Sequence, residues 1–412
     1  GDGTGYQTGA QGGIALGDRG SIVFTGEFNK SDATSRSRQA AGAVTFQRAN
    51  PNLTVPNPVT RWGQPDLRSV RGGVNAHYDL SDAATLYAFG TIGEGEGVTD
   101  FNWRNPAGTD NVFGSSSAFP GFTFKTLYPV GFTPRFGTKY DDFQTAGGMR
   151  GALGDAFTYD LSASAGRSRI NYNMTESLNA SMGPANPTNF YLGRLRQSEF
   201  NLNADFVYRL PVGFEIPANI AFGAERRVET FAIRPGDPSS YTIGAGARTG
   251  LTPNSNGFPG FSPLSSGEWS QTSYAGYLDV EVQPIKALTL GAAGRYENFS
   301  AFGDTFNYKL SARFEPVRGV ALRGTYSTGF RAPTPAQLNA INTSQGLDTV
   351  TMQIFNTGRL SPSDPIAIAL GAKPLTPEKS KTLTAGLTFQ SDFGLTGSID
   401  LYQIELTNRF GQ

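Results

Sequence analysis

A sorting of side chains with a period of two constrains this chain more than any other feature. Between Val70 and Leu80, Val70, Gly72, Val74, Ala76, Tyr78 and Leu80 alternate with Arg71, Gly73, Asn75, His77 and Asp79. The same alternation separates Phe157, Tyr159, Leu161, Ala163 and Ala165 from Thr158, Asp160, Ser162 and Ser164. It returns in Phe306, Tyr308, Leu310, Ala312 and Phe314 against Asn307, Lys309, Ser311, Arg313 and Glu315. Successive side chains of a strand point to opposite faces, so these runs describe strands with one apolar and one polar face. No helical period of comparable reach accompanies them. The spacing predicts about fourteen strands, near 8–16, 20–30, 68–80, 84–95, 142–153, 156–170, 197–210, 214–231, 271–283, 286–299, 303–315, 319–330, 380–390 and 395–408. Such lengths suit tilted membrane-spanning strands of about 9–11 residues. The apolar phase changes near Tyr402, where Tyr402, Ile404 and Leu406 take over from Ile399 and Leu401, which predicts a β-bulge there.

The connections alternate between short and long. Gly17-Asp18-Arg19-Gly20, Leu153-Gly154-Asp155, Pro316-Val317-Arg318-Gly319 and Ser391-Asp392-Phe393-Gly394 carry turn chemistry. Long connections run near 31–67, 96–141, 171–196, 232–270 and 331–379. An antiparallel meander with tight turns at one edge and large loops at the other reads as an all-β, up-and-down transmembrane β-barrel. Backbone groups in lipid must all be paired, so such a sheet has to close. Tyr78, Phe157, Tyr208, Phe314 and Phe389 near the turns, and Phe28, Tyr172, Phe299, Phe306 and Phe330 near the loop ends, are expected to form two aromatic girdles. A soluble sandwich or propeller is the competing reading, and propeller blades would repeat with more equal loops.

Composition narrows the chemistry. With 52 Gly, 30 Phe and 16 Tyr but only 17% charged residues, the chain lacks the makeup of a helical protein. Lys+Arg 34 balances Asp+Glu 34, so no basic excess is available for a nucleic-acid partner. Cys 0 and the single His77 remove thiolate sites, histidine clusters and most nucleophilic triads, so neither an enzyme, a metal site nor a cofactor is expected. Asp141-Asp142 and Glu94 with Glu96 lack the spacing of a calcium loop and read as solvated loop charges. His77 reads as polar wall.

Two stretches carry more specific information: Tyr326-Ser327-Thr328-Gly329-Phe330-Arg331-Ala332-Pro333, and Leu375-Thr376-Pro377-Glu378-Lys379-Ser380 leading into Leu383-Thr384-Ala385-Gly386-Leu387. With the downstream Leu401-Tyr402-Gln403-Ile404-Glu405-Leu406-Thr407-Asn408-Arg409-Phe410, they resemble signatures of TonB-dependent outer-membrane receptors, in the same order. The resemblance implies a bacterial outer-membrane location and energised import of a scarce nutrient. In that family loops capture the ligand, and a plug inside a barrel of about 22 strands is rearranged by the TonB energy-transducing complex. Gly329, Phe330, Arg331, Ala332, Pro333, Pro377, Glu378 and Ser380 are the motif residues; Arg331 and Pro333 are expected to set backbone geometry at a strand end. Residues 1–412 carry no plug, TonB box or signal peptide, and are expected to form one partial barrel domain of about fourteen strands with both ends on the loop side. A complete fourteen-stranded barrel is the alternative.

Candidate ligand contacts lie in the loops, where aromatic faces beside cations suit siderophore-iron, oligosaccharide or cobalamin-like ligands. They are Arg61, Trp62, Trp103, Arg104, Phe122, Tyr128, Arg135 and Trp269. Packing of these rings within the loops is the competing structural role. Arg71, Asp160, Asp205, Arg209, Arg295, Arg313 and Arg323 are expected on the lumen face, pairing along the wall or facing a plug. The expected partners are therefore outer-membrane lipid, a small-molecule or oligosaccharide ligand, and the TonB complex acting through a plug. A passive diffusion porin is the second functional reading, and an outer-membrane enzyme or adhesin the third.

Overall fold

The computed structural model describes residues 2–108, 111–214, 216–347 and 354–411. Gly1 and Gln412 of the expected domain, position 215 of the expected strand 214–231, and positions 348–353 of the expected 331–379 loop lie outside the described residues. Strands β1 (Gly5–Ala15), β2 (Gly20–Ser31), β3 (Asp66–Ser81), β4 (Ala84–Asp100), β5 (Arg135–Leu153), β6 (Phe157–Thr175), β7 (Phe190–Leu210) and β8 (Ala218–Pro235) are followed by β9 (Gly267–Ile285), β10 (Leu288–Phe299), β11 (Gly303–Val317), β12 (Val320–Arg331), β15 (Glu378–Gln390) and β16 (Thr396–Thr407). These fourteen pair antiparallel in chain order in one sheet, while β13 (Asn342–Leu347) and β14 (Ile354–Arg359) form a separate hairpin between β12 and β15. The up-and-down barrel wall is therefore the one the alternation describes.

Register assigns every side chain to a face. Leu290 opposite Ala312, Leu310 opposite Tyr326 and Leu322 opposite Leu387 place the apolar residues of β10, β11, β12 and β15 together on the outward face. Exposure agrees, since Leu310, Leu322 and Leu383 are all solvent-accessible apolar side chains. An apolar face this extensive is a surface made for hydrocarbon. At the short-turn edge, Gly319 adopts φ 83 between β11 and β12, and a Cβ there would collide with the carbonyl of Gln390. Only glycine satisfies both demands.

The strands outrun the expected limits at the loop edge. β5 begins at Arg135 rather than 142, β7 at Phe190 rather than 197, and β4 continues to Asp100 rather than 95. Above the apolar band the outward positions become charged, so the hydrophobic period fades while the hydrogen-bond ladder continues. Glu94, Glu96, Asp141 and Asp142 accordingly sit in β4 and β5, not in a loop. Asp141 accepts hydrogen bonds from Arg167 Nη2 at 3.2 Å and Arg169 Nε at 2.5 Å.

Two expectations are corrected. No bulge occurs near Tyr402: the β15–β16 register runs unbroken from Lys379 opposite Thr407 to Gln390 opposite Thr396. Tyr402, Ile404 and Leu406 share a face with Asp400, opposite Thr384, Thr382 and Ser380, so apolar residues on both faces of this strand imitate a slip. In the girdles, Tyr172 and Phe299 face inward. Tyr172 stacks on Phe136 at 5.5 Å, and the buried Phe299 stacks on Phe302 at 4.5 Å.

The buried core lies in the loops and at the loop-edge ends of β6 and β7 rather than along the span of the sheet. Helix α1 (Ala41–Ala49) packs Ala43 and Phe46 with Val55 and Val59 against Trp103 and Val130. Val112, Phe113, Phe124 and Phe132 meet Leu178, Ala180 and Leu251 from two further loops. Met174, Phe190 and Leu192 form a third cluster with Phe101 and Phe258. The Asn179 amide stitches this cap, donating to the carbonyls of Ser239 at 2.8 Å and Thr242 at 2.9 Å.

Two measurements follow from this division. Leu310→Arg, on the outward face, is expected to cost about 2–4 kcal/mol in denaturant unfolding from lipid vesicles, whereas Ser311→Arg costs about 0.5 kcal/mol or less. Equal costs would refute the face assignment. Asn179→Ala removes the hydrogen bonds to the Ser239 and Thr242 carbonyls, at about 1–3 kcal/mol. It should speed hydrogen exchange in 236–266 and leave β10 and β11 unchanged; uniform acceleration would show that cap and wall open together.

Candidate functional site

Beneath the cap, the polar face of the sheet forms a wall of paired groups. Tyr87 donates to Asp160 at 2.6 Å, and Tyr277 donates to Asp205 at 2.6 Å. Arg295 bridges Glu297 at 3.0 Å and Glu225 at 3.4 Å, Arg313 pairs with Glu315 at 2.7 Å, and Arg323 grips both oxygens of Asp400. Arg71 stands opposite Glu27 and lines a cavity of about 630 Å³ with Gln11, Thr25, Tyr140 and Asp142. Arg209 stands opposite Asn219 at the turn edge. All seven expected wall residues thus occupy the polar face. Carboxylates of other strands hold Arg295 and Arg323 in place, and Glu315 of the same strand holds Arg313, which makes the wall stiff as well as hydrophilic.

The loop residues divide into supports and free surfaces. Arg61 makes a two-pronged contact with Asp100, Nε to Oδ2 at 3.0 Å and Nη2 to Oδ1 at 2.8 Å, and this hydrogen bonding lifts its pKa above the ordinary arginine value. Its neighbour Trp62 is 63% exposed. Trp103 donates from Nε1 to Val130 O at 3.2 Å, with its ring against Phe46. Arg104 is buried and donates to Asn256 and to Asn102 O. Phe122 packs edge-on to Phe124 at 5.0 Å, and Tyr128 lies 4.7 Å from Phe132. Burial pushes the Tyr128 phenol above the usual tyrosine range. Arg135 projects outward and bridges Glu176 at 3.1 Å. Trp103, Arg104, Phe122 and Tyr128 are therefore brought together as pillars of the cap, while Trp62 presents a free ring.

Trp269 faces the lumen at the loop end of β9, stacked on Phe231 of β8 with centroids 6.4 Å apart and planes 16° apart. Gln197 stands opposite Phe231 on β7, and Gln271 follows one layer down. Gln271 is only 3% exposed, and its amide has no hydrogen-bond partner among the described residues. Helix α2 (Pro335–Asn339) crosses from β12 to pack against β8 and β9. Phe231, Gln197 and Gln271 were not singled out from sequence. The available signal was an aromatic ring at a position whose alternation is polar.

The three sequence motifs meet in space. Arg331 lies opposite Glu378 in the β12–β15 ladder, with Nη1 3.4 Å from its carboxylate and the guanidinium over the Phe410 ring at 5.6 Å. The Phe410 amide donates to Glu378 at 2.8 Å, and Pro333 is fully buried where the chain leaves β12. No group of three or more His, Asp or Glu disposed to hold a metal ion occurs among the described residues. The chemistry on offer is recognition: an aromatic shelf beside amides and charges, roofed by a packed cap.

Comparison with known proteins agrees with this geometry. The chain superposes on the ferric enterobactin receptor PfeA of Pseudomonas aeruginosa with a TM-score of 0.61 and 14% identity, covering 98% of this chain and 51% of that one. The siderophore receptor PirA of the same organism gives 0.60 at 12% identity, over 98% of this chain and 53% of that one. The RagAB peptide transporter gives 0.59 at 10% identity, over 97% and 44%. The chain thus spans about half the length of these solved structures. No curated protein matches it. A family model described as TonB dependent receptor-like, beta-barrel, matches residues 11–412, and the chain belongs to that family.

Proposed function

We propose that the chain forms the wall and extracellular mouth of an outer-membrane receptor that imports a scarce, bulky nutrient with energy delivered through TonB. The family match over 11–412 carries this reading. The fourteen strands are then part of a wall of about 22, and residues 1–412 one barrel domain. Arg71, Asp160, Asp205, Arg209, Arg295, Arg313 and Arg323 form the inner surface against which a plug would lie. Trp62 at the rim and Trp269 with Phe231 beneath the cap are the surfaces a ligand would meet first. Flat rings beside amides favour an amphipathic ligand with planar or sugar-like faces, the class that includes ferric siderophores and oligosaccharides.

Uptake in cells separates this reading from passive diffusion. A candidate ferric siderophore or labelled oligosaccharide should enter only while the inner membrane is energised and TonB is present. Transport that survives an uncoupler, with steady conductance of the purified protein in planar bilayers, would establish a porin instead. In binding assays on the full receptor, Trp269→Ala and Phe231→Ala should each weaken the ligand by about three- to tenfold. Unchanged affinity in both would move the binding surface elsewhere.

A further inference from the structure

The aromatic shelf heads three adjacent rows of inward side chains on β6–β9. Ser168, Gln197, Phe231 and Trp269 stand side by side in the first row, and Glu199, Glu229 and Gln271 in the second. Ser164, Asn201, Arg227 and Ser273 make up the third. Gln144, Ser164, Ser168, Gln197, Glu199 and Asn201 line a cavity of about 430 Å³, a size that suits a small-molecule ligand. Arg167, which also borders the cavity, belongs to the outward phase and pairs there with Asp141 at 3.2 Å.

Hydrogen-bonding capacity in these rows is unfilled. Asn201 Oδ1, Gln271 Oε1, Gln271 Nε2 and Arg227 Nε are buried and have no partner among the described residues. Gln271 is the extreme case, 3% exposed with both ends of its amide unfilled. Two of these atoms accept and two donate, so one kind of group fills them all only if it does both. A hydroxyl does both, whereas an oxyanion only accepts. Charge favours the same chemistry. The inward charges in these rows on β5–β9 are Asp142, Glu199, Glu229 and Arg227, three carboxylates against one guanidinium. Arg227 is held by Glu199 at 2.7 Å and by Glu229 at 3.2 Å. Farther along the wall, Arg295 is likewise held by Glu225 and Glu297, and Arg71 on β3 stands opposite Glu27. An anionic ligand meets net repulsion here, and a neutral one does not.

Resting on the reading of the Trp269–Phe231 shelf as a ligand surface, we propose that the imported nutrient is a neutral oligosaccharide. A sugar ring lies against the shelf, and its hydroxyls bond to Gln197, Glu199, Asn201 and Gln271. The C–H face of a pyranose is apolar and covers an aromatic ring, while its edge carries hydroxyls that donate to a carboxylate and exchange bonds with amides. Gln271 follows Trp269 on the same face of β9, so the hydroxyl that reaches it comes from the ring on the shelf. A ferric siderophore and an oligosaccharide both suit the shelf; only the oligosaccharide suits the rows beneath it.

The test uses the complete receptor in detergent micelles, with an array of neutral glycans and, as the anionic probe, ferric enterobactin. Wild type should retain at least one neutral glycan saturably and should not retain the ferric complex. Gln197→Ala and Asn201→Ala should each weaken that glycan by about three- to tenfold. Gln271→Leu should weaken it by a similar factor without lowering the denaturant midpoint, because an amide with no protein partner adds no hydrogen bond to the fold. Lys309→Gln, on the same face at β11, should leave the affinity unchanged. Saturable binding of ferric enterobactin, retention of no neutral glycan, or unchanged affinity in all three variants overturns the proposal. So does a Gln271→Leu variant that loses stability and keeps its affinity. Glycan uptake that survives an uncoupler would instead refute energised import and leave the sugar site in place, and heat-modifiable gel mobility verifies that each variant has folded.

Discussion

A strand in hydrocarbon has no water to satisfy its backbone, so each N–H and C=O must find a neighbouring strand. That requirement organises the rest of this molecule. It keeps the β5–β6 ladder continuous from Arg135 opposite Thr175 to Leu153 opposite Phe157. It also forces consecutive side chains to opposite faces, so one face can be given to lipid and the other to polar chemistry along the same strand. The outward Leu161 and the inward Asp160 are neighbours in sequence, and they serve different solvents. Inside the polar face the same logic recurs on a smaller scale, because Tyr87 with Asp160 and Tyr277 with Asp205 pair side chains that lipid could not satisfy.

Water returns at the loop edge, and there the chain builds a conventional core. The loops of 101–134, 176–189 and 236–266 contribute Phe124, Leu178 and Leu251 to one cluster. Asn179 and Asn256 are buried at its polar seams, where Asn256 receives Arg104 and its carbonyl receives Ser177 Oγ at 2.6 Å. A roof of independent flexible loops could hold no fixed shape above the lumen. This one is tied across three connections, so the rings that remain free, Trp62 above and Trp269 with Phe231 below, are presented from a rigid frame.

The fold was legible because alternation survives wherever lipid is on one side. Every wall strand but β16 carries that signal with a single phase, and the loop-edge extensions lose it where charged side chains such as Glu94, Asp141 and Arg167 replace apolar ones on the outward face. The bulge inferred at Tyr402 failed for the same reason, since apolar residues on both faces of one strand leave the period without a unique phase. The candidate contacts were less legible. An aromatic in a loop has the same sequence signature whether it faces ligand or packs a cap, and only the packing partners, the distant Phe46 for Trp103 and the nearby Phe132 for Tyr128, tell them apart. Phe231 was hidden from the other side: its neighbour Trp269 drew notice by its size, whereas a lone Phe on a polar face is visible only after register fixes which face is which.

The family-like motifs take on a physical meaning once their residues meet. Arg331 ends β12, Glu378 begins β15, and Phe410 follows β16, so three chain segments separated by the connection through β13 and β14 converge on one charge-assisted contact. That contact clamps the point where the chain leaves the wall and returns to it. Buried Pro333 ends the ladder of β12 there, because it lacks an N–H to continue it. Thr334 then caps α2 by accepting from the Gln337 amide at 3.2 Å, which directs the chain inward toward β8 and β9. The motif is therefore an exit device: it stops a strand, locks its neighbour and aims the following turn across the lumen. Its sequence is restrictive because three geometric demands coincide in a few residues, and none of them requires that the motif touch a ligand.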